Sequence, residues 1–254
     1  MSHQSVDQTA IVKTLLSLVG RSTLPVRQAR SDERHGTAFW FDDLVAAGPD
    51  GPVVRQYLVT ADAMTRFDLG ELVLRPELCD PPVNPDVLLM PGFAEQWIRL
   101  ERLGLAVMPT TGLHAHAERR GWRWTTDPVD DGLAAAVGDL AALDGRPAPA
   151  YAVGHPVPPR PGDGSGPAVV AGHVYRRNDN TLGWQGAIPD GLAGAPVLAV
   201  PPGPDGTADP LCIGALLPGR GRDTVVTFDH VRLALSDLAP PPPPPPRPRW
   251  PRRA

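Results

Sequence analysis

The chain has 254 residues, 42% of them hydrophobic and 20% charged, with a formal net charge of −4. That length and apolar content suffice to bury one large core or two modest ones, which excludes a chain disordered throughout. The slight acidity, with arginines scattered except at the C-terminal end, excludes the broad basic field of a nucleic-acid binder.

In chain order, residues 6–19 come first, with Ile11, Leu15, Leu16 and Val19 on one helical face. The apolar run from Ile11 to Gly20 is too short to span a bilayer and is interrupted by Lys13. Asp7 is present and no Lys or Arg precedes position 13, so a signal peptide is not indicated and an intracellular, cytoplasmic protein is expected. From there 33 prolines and 26 glycines punctuate short Val/Leu/Ile-rich segments, the rhythm of an all-β domain. Strands are expected at 37–41, 54–60, 71–75, 86–90, 151–154, 168–175, 195–200, 212–217 and 224–228. Between Gly92 and Gly145, residues 93–103 and 131–143 read as helices joined by a loop that holds His114 and His116. Residues 229–238 repeat a helical pattern with Val231, Leu235 and Leu238.

Several local features read as structural or as binding candidates. Cys79 and Cys212 indicate no disulfide framework, and Cys212 in Leu211-Cys212-Ile213 reads as a buried small hydrophobe. His114 and His116 form an H-x-H pair with Glu118 as the one nearby third ligand, so a surface loop is preferred to a metal site and no metal is expected. Arg119, Arg120, Trp122 and Trp124 (RRGWRW) make a basic aromatic patch that either binds a partner or caps the core. Seven consecutive prolines, Pro240 to Pro246, precede RPRWPRRA. Such a tail is expected to be an extended, disordered segment, a spacer or an SH3-type ligand through Pro240, Pro243, Pro246, Arg247, Arg249 and Trp250.

Three segments carry chemistry when taken together: Gly36-Thr37-Ala38-Phe39, Tyr57-Leu58-Val59-Thr60-Ala61-Asp62-Ala63-Met64, and Gly191-Leu192-Ala193-Gly194-Ala195-Pro196-Val197. In this order they resemble the trypsin-like, chymotrypsin-fold serine proteases of the bacterial intracellular type, where the corresponding patterns are G-T-[AG]-F, L-V-T-x-x-H and G-x-S-G-[SGA]-P. Asp86-Val87-Leu88-Leu89-Met90 is similar to the D-[VL]-A-[VL]-[LI] strand that supplies the triad aspartate. Ala152-Val153-Gly154-His155-Pro156 is similar to the G-[YF]-P turn of the second barrel, and Ile213-Gly214 and Phe228 to Leu238 fit the later strand and closing helix.

The resemblance spans roughly 34–238 and implies two six-stranded antiparallel β-barrels with an N-terminal and a C-terminal helix. Its boundaries are an N-terminal helical segment 1–25 and a protease-like domain 26–239. Within the domain it implies a first barrel at about 34–95, a connection 96–148, a second barrel 149–228 and a closing helix 229–238. A tail 240–254 follows. The resemblance assigns the triad histidine position to Ala63, the aspartate position to Asp86 and the serine position to Ala193, with Gly191 and Ala193 supplying oxyanion-hole N–H groups. A serine hydroxyl attacks only when an oriented imidazole takes its proton, so a chain with alanine at both positions is not expected to hydrolyse peptides by that route. Adjacent Asp62 should point elsewhere and does not replace an imidazole. Ala63, Asp86 and Ala193 should cluster in the cleft between the barrels, with the pKa of Asp86 raised for want of its imidazole.

Three readings follow. One is a pseudoprotease that binds a protein or peptide partner. Another is a serine endopeptidase whose His and Ser have been replaced by Ala in this chain. The last is a scaffold or effector of a bacterial defence or signalling system. None of them calls for a cofactor.

Overall fold

A computed structural model describes residues 8–31, 34–48, 51–83, 86–141, 147–157, 166–179, 181–201 and 209–238. The proline-rich tail, with Pro240, Pro243, Pro246, Arg247, Arg249 and Trp250, lies outside the described residues. The order is α1 (Gln8–Val19), β1 (Thr23–Gln28), β2 (His35–Gly48), β3 (Gly51–Ala61), β4 (Leu69–Leu74), β5 (Cys79–Asp80), β6 (Asp86–Pro91), β7 (Ile98–Leu100), β8 (Leu105–Pro109), α2 (Thr111–Arg119), β9 (Arg123–Trp124), α3 (Val137–Ala141), β10 (Ala148–Gly154), β11 (Ala168–Arg176), β12 (Leu182–Gln185), β13 (Pro196–Ala199), β14 (Leu211–Leu217), β15 (Thr224–Thr227) and α4 (Phe228–Ser236). No described helix is long and apolar enough to cross a membrane.

The protein is mostly β, in two units. The second is a closed barrel in the order β10-β11-β12-β15-β14-β13, as expected. The first is a curled seven-stranded sheet, β6-β4-β1-β2-β3-β8-β7, which corrects the expected closed six-stranded barrel. Its strands run on to Pro109, so the expected connection 96–148 begins inside the sheet. The stretch 93–103 is not a helix: it is a 3-10 turn at Phe93–Gln96, β7, and another at Glu101–Leu103. The two histidines sit on helix α2 rather than in a loop.

Period-2 alternation sorts the side chains of the first sheet between two cores. Ala38, Trp40, Leu58, Ala106 and Met108 point inward, into a cluster with Leu24, Leu72 and Phe93. Their neighbours Phe39, Phe41, Tyr57, Val59, Leu105 and Val107 point to the other face. There they join Leu15, Val19, Leu198, Ala215 and Phe228 in a cluster shared by α1, α4 and the second barrel. Phe228 stacks on Phe41 at 5.0 Å between ring centroids and meets Phe39 edge-on at 6.1 Å. This shared core is what fixes one unit against the other and holds the cleft between them.

Candidate cleft between the two sheets

The segment 189–196 crosses from the second barrel to the first as a tight turn. Leu192 N–H donates to Pro189 O at 3.3 Å and Ala195 N–H to Leu192 O at 3.0 Å; Gly194 N–H and Leu216 O, and Leu216 N–H and Ala195 O, pair at 2.8 Å each. On the other side Thr37, the second residue of GTAF, grips the turn: its N–H donates to Ala193 O at 2.9 Å and its hydroxyl to Gly191 O at 2.8 Å. The same hydroxyl accepts His155 N–H at 2.9 Å, and Thr37 O accepts the Thr60 hydroxyl at 2.8 Å. His155 is itself buried, with Nε2 3.1 Å from the Thr23 hydroxyl.

Two glycines make the approach possible. Gly194 has φ +87°, and a Cβ there would lie 2.5 Å from Thr37 O and 2.6 Å from Ala61 N. Gly191 has φ +96°, and its Cβ would lie 2.2 Å from His155 O. Both conformations are disfavoured for side-chain-bearing residues, and both spaces are filled by main chain. Gly191 N–H and Ala193 N–H have no acceptor among the described residues. The turn therefore keeps the free amide pair of an oxyanion site while carrying no nucleophile.

Ala63 lies exposed on the 3-10 turn Asp62–Thr65 that follows β3, two residues from Ala61, whose N–H borders Gly194. Its neighbour Met64 covers Gly36: a Cβ on Gly36 would meet Met64 Cγ at 2.5 Å and Ala193 O at 3.0 Å. The histidine and serine positions are thus carried by segments that meet at the end of β2 and β3. Asp62 is buried and its carboxylate is engaged, by Arg66 through Nε at 2.9 Å and through Nη2, and by Arg99 at 3.5 Å. That pairing holds the Arg66 guanidinium above its ordinary pKa and leaves Asp62 no part in the cleft.

Asp86 does not join them. It opens β6, the outermost strand at the far edge of the sheet, opposite Leu74 of β4. The strands β4, β1 and β2 stand between β6 and β3, four inter-strand steps of about 4.8 Å each along the sheet. Its side chain lies outside the described residues, and with it the expected pKa rise.

The strand that does border the end of β3 is β8. Leu105 pairs with Ala61, and Asp62 N–H donates to Gly104 O at 2.9 Å. Gly104 has φ +69°, and a Cβ there would lie 3.1 Å from Leu217 Cδ1 of β14. Sequence reasoning passed over this position although a signal was available: Leu105-Ala106-Val107-Met108 fits the last four places of D-[VL]-A-[VL]-[LI] more closely than Val87-Leu88-Leu89-Met90 does, with glycine in the acidic place.

The remaining candidates divide. Trp122 and Trp124 cap the core of the first sheet, Trp124 lying 5.1 Å from Trp40 and donating Nε1–H to Leu113 O at 3.1 Å. His114 Nε2 lies 2.8 Å from Gln56 Oε1, and burial lowers the pKa of both His114 and His116. Among the described residues no group of three or more His, Cys, Asp or Glu is placed to hold a metal ion.

No protein-family model matches the sequence, and no curated protein matches it. Among solved structures the chain is similar to "HtrA-type protease AlgW with tripeptide", at 16% identity, covering 88% of this chain and 61% of that one with a TM-score of 0.49. It is equally similar to a serine-to-alanine form of AlgW with tripeptide, at 17% identity over 87% of this chain and 60% of that one, again with a TM-score of 0.49. The chain thus spans about three fifths of the length of the chains it matches.

Proposed function

We propose that the protein is a catalytically inactive homologue of the trypsin-like serine proteases, and that it works by binding a protein or peptide rather than by cutting one. The observation that carries this reading is Gly104. An imidazole at position 63 would need a carboxylate on the neighbouring chain to fix its tautomer and stabilise its charge. The neighbouring chain is Gly104-Leu105, and Leu217 Cδ1 packs where a side chain from position 104 would begin. All three triad places, Ala63, Gly104 and Ala193, then lack their functional groups, and an apolar contact has taken over the third. Replacement of two residues in an otherwise working enzyme would leave the carboxylate in place.

The free amides of Gly191 and Ala193 favour a second reading, an enzyme whose His and Ser have been replaced. One experiment separates the two. The double variant Ala63→His/Ala193→Ser is treated with a fluorophosphonate probe, with near-ultraviolet circular dichroism to show that it is folded. The inactive reading expects no labelling above the unsubstituted chain. Covalent labelling, lost again when Ala193 is restored, overturns it and establishes the second.

A further inference from the structure

The basic half of RRGWRW has no part in the core. Arg123 pairs with Asp80, whereas Arg119 and Arg120 form no ion pair among the described residues. Both line grooves that run along β6. One groove, of about 410 Å³, is bordered by Leu88, Leu89, Met90, Met108, His116 and Arg119. The other, of about 400 Å³, is bordered by Leu74, Val87, Leu88, Leu89, Arg120 and Trp122. They share Leu88, Leu89 and His116, so they form one channel with β6 on one side and α2 on the other.

The β6 side of that channel is a strand edge. β6 ends its sheet and pairs with β4 alone among the described strands. Leu88, Leu89 and Met90 make no main-chain hydrogen bond outside that ladder among the described residues. Leu89 is 45% exposed and adds an apolar surface. Soluble proteins usually blunt such an edge with a charge, a bulge or a cover, because it offers a template to any extended chain. Here the charges stand across the channel, on α2, and they are of one sign. A basic wall facing an open edge selects an extended chain with carboxylates; a nucleic acid would satisfy the arginines but has no main-chain amides to pair with the edge.

We propose that the channel between β6 and α2 binds an extended acidic peptide segment of another protein, which adds to β6 as a strand while its carboxylates pair with Arg119 and Arg120. Alternation of acidic and apolar residues suits it, since successive side chains of a strand face opposite ways. The proposal stands whether or not the cleft hydrolyses anything.

The test uses the full chain and a fluorescein-labelled heptapeptide alternating glutamate with valine, read by fluorescence anisotropy. Saturable binding is expected, weakening as salt is raised. It should fall at least tenfold for Arg119→Glu/Arg120→Glu, whose fold is checked by its melting curve, and for a lysine–valine peptide. An analogue N-methylated on alternate amides along one edge keeps its charge but cannot pair as a strand, and should also lose binding at least tenfold. Hydrogen exchange at Leu88–Met90 should slow with the unmodified peptide. Equal binding of the N-methylated analogue would reduce the site to charge attraction and overturn strand addition. No saturable binding, or binding indifferent to the arginine variant, overturns the proposal outright.

Discussion

Gly104 and Leu217 meet across the two sheets, with the leucine Cδ1 3.1 Å from the place a Cβ on residue 104 would take. The contact joins the chain beside the degenerate histidine position to the strand that supports the nucleophile turn. Gly104→Ala should destabilise by about 1–2 kcal/mol for the left-handed conformation, with a further cost for the clash. Leu217→Ala should cost something of its own, and in the double variant the clash should vanish while the backbone cost remains. A double-mutant cycle by urea unfolding reads the difference, and strict additivity would show that the two residues do not touch.

Thr37 binds both flanks of the cleft through one hydroxyl, donating to Gly191 O and accepting from His155 N–H. Thr37→Val keeps the shape and removes both bonds, so two buried main-chain groups lose a partner, at about 1–3 kcal/mol each. Thr37→Ser should retain most of the stability. The urea midpoints of the two variants give the comparison, and hydrogen exchange across 189–195 should rise in the valine variant.

Cys212 and Cys79 are buried thiols, pushed up to about 12 and about 11 from an ordinary 9, chiefly by desolvation of the thiolate. Neither should react with a disulfide reagent at pH 8 in the folded protein, and both should react once it is unfolded. The sign for stability follows from linkage. The folded pKa exceeds the unfolded one, so the contribution is whole below pH 9 and is lost as pH rises from 9 towards 12. The melting temperature of the Cys212→Ala variant should accordingly fall less steeply over that range than that of the unsubstituted chain.

Asp43 on β2 carries a half-buried carboxylate whose pKa is raised, first by desolvation and further by Asp131, against smaller help from Arg232 and Arg55. Its ionised form is the one the fold disfavours, so the cost is present at neutral pH and disappears as the group protonates. Asp43→Asn should therefore raise the melting temperature at pH 7, with the gain shrinking toward pH 3. A gain that stayed constant with pH would assign it to something other than the charge.

Much of this arrangement was legible in local sequence. The alternation through Ala38–Phe41 and Tyr57–Val59 marked β2 and β3, and the Gly191 and Gly194 pattern marked a turn whose backbone no other residue fits. What escaped was decided by distant chain. In 93–103 the apolar Phe93, Trp97, Leu100 and Leu103 fall at helical spacing, yet pairing of β7 and β8 with the edge of β3 wins over that local preference. β1 was hidden by Pro25, which argues against a central strand. It is tolerated because its pairing with β4 runs from Val26 to Gln28, just past the proline, and because Thr37, opposite Pro25, gives its N–H to Ala193 O. Gly104 escaped for the same reason as β8: only the tertiary pairing shows which chain lies beside Asp62.

The turn at Gly191–Pro196 keeps its glycines, its amides and its grip on Thr37 although neither alanine near it can act on a substrate. What it still does is mechanical. It is a rivet driven through the seam between two independently wound sheets, with its head under Leu216 and its point against Ala61. A site that began as a place to break chains would thus endure as the place where this chain is fastened to itself.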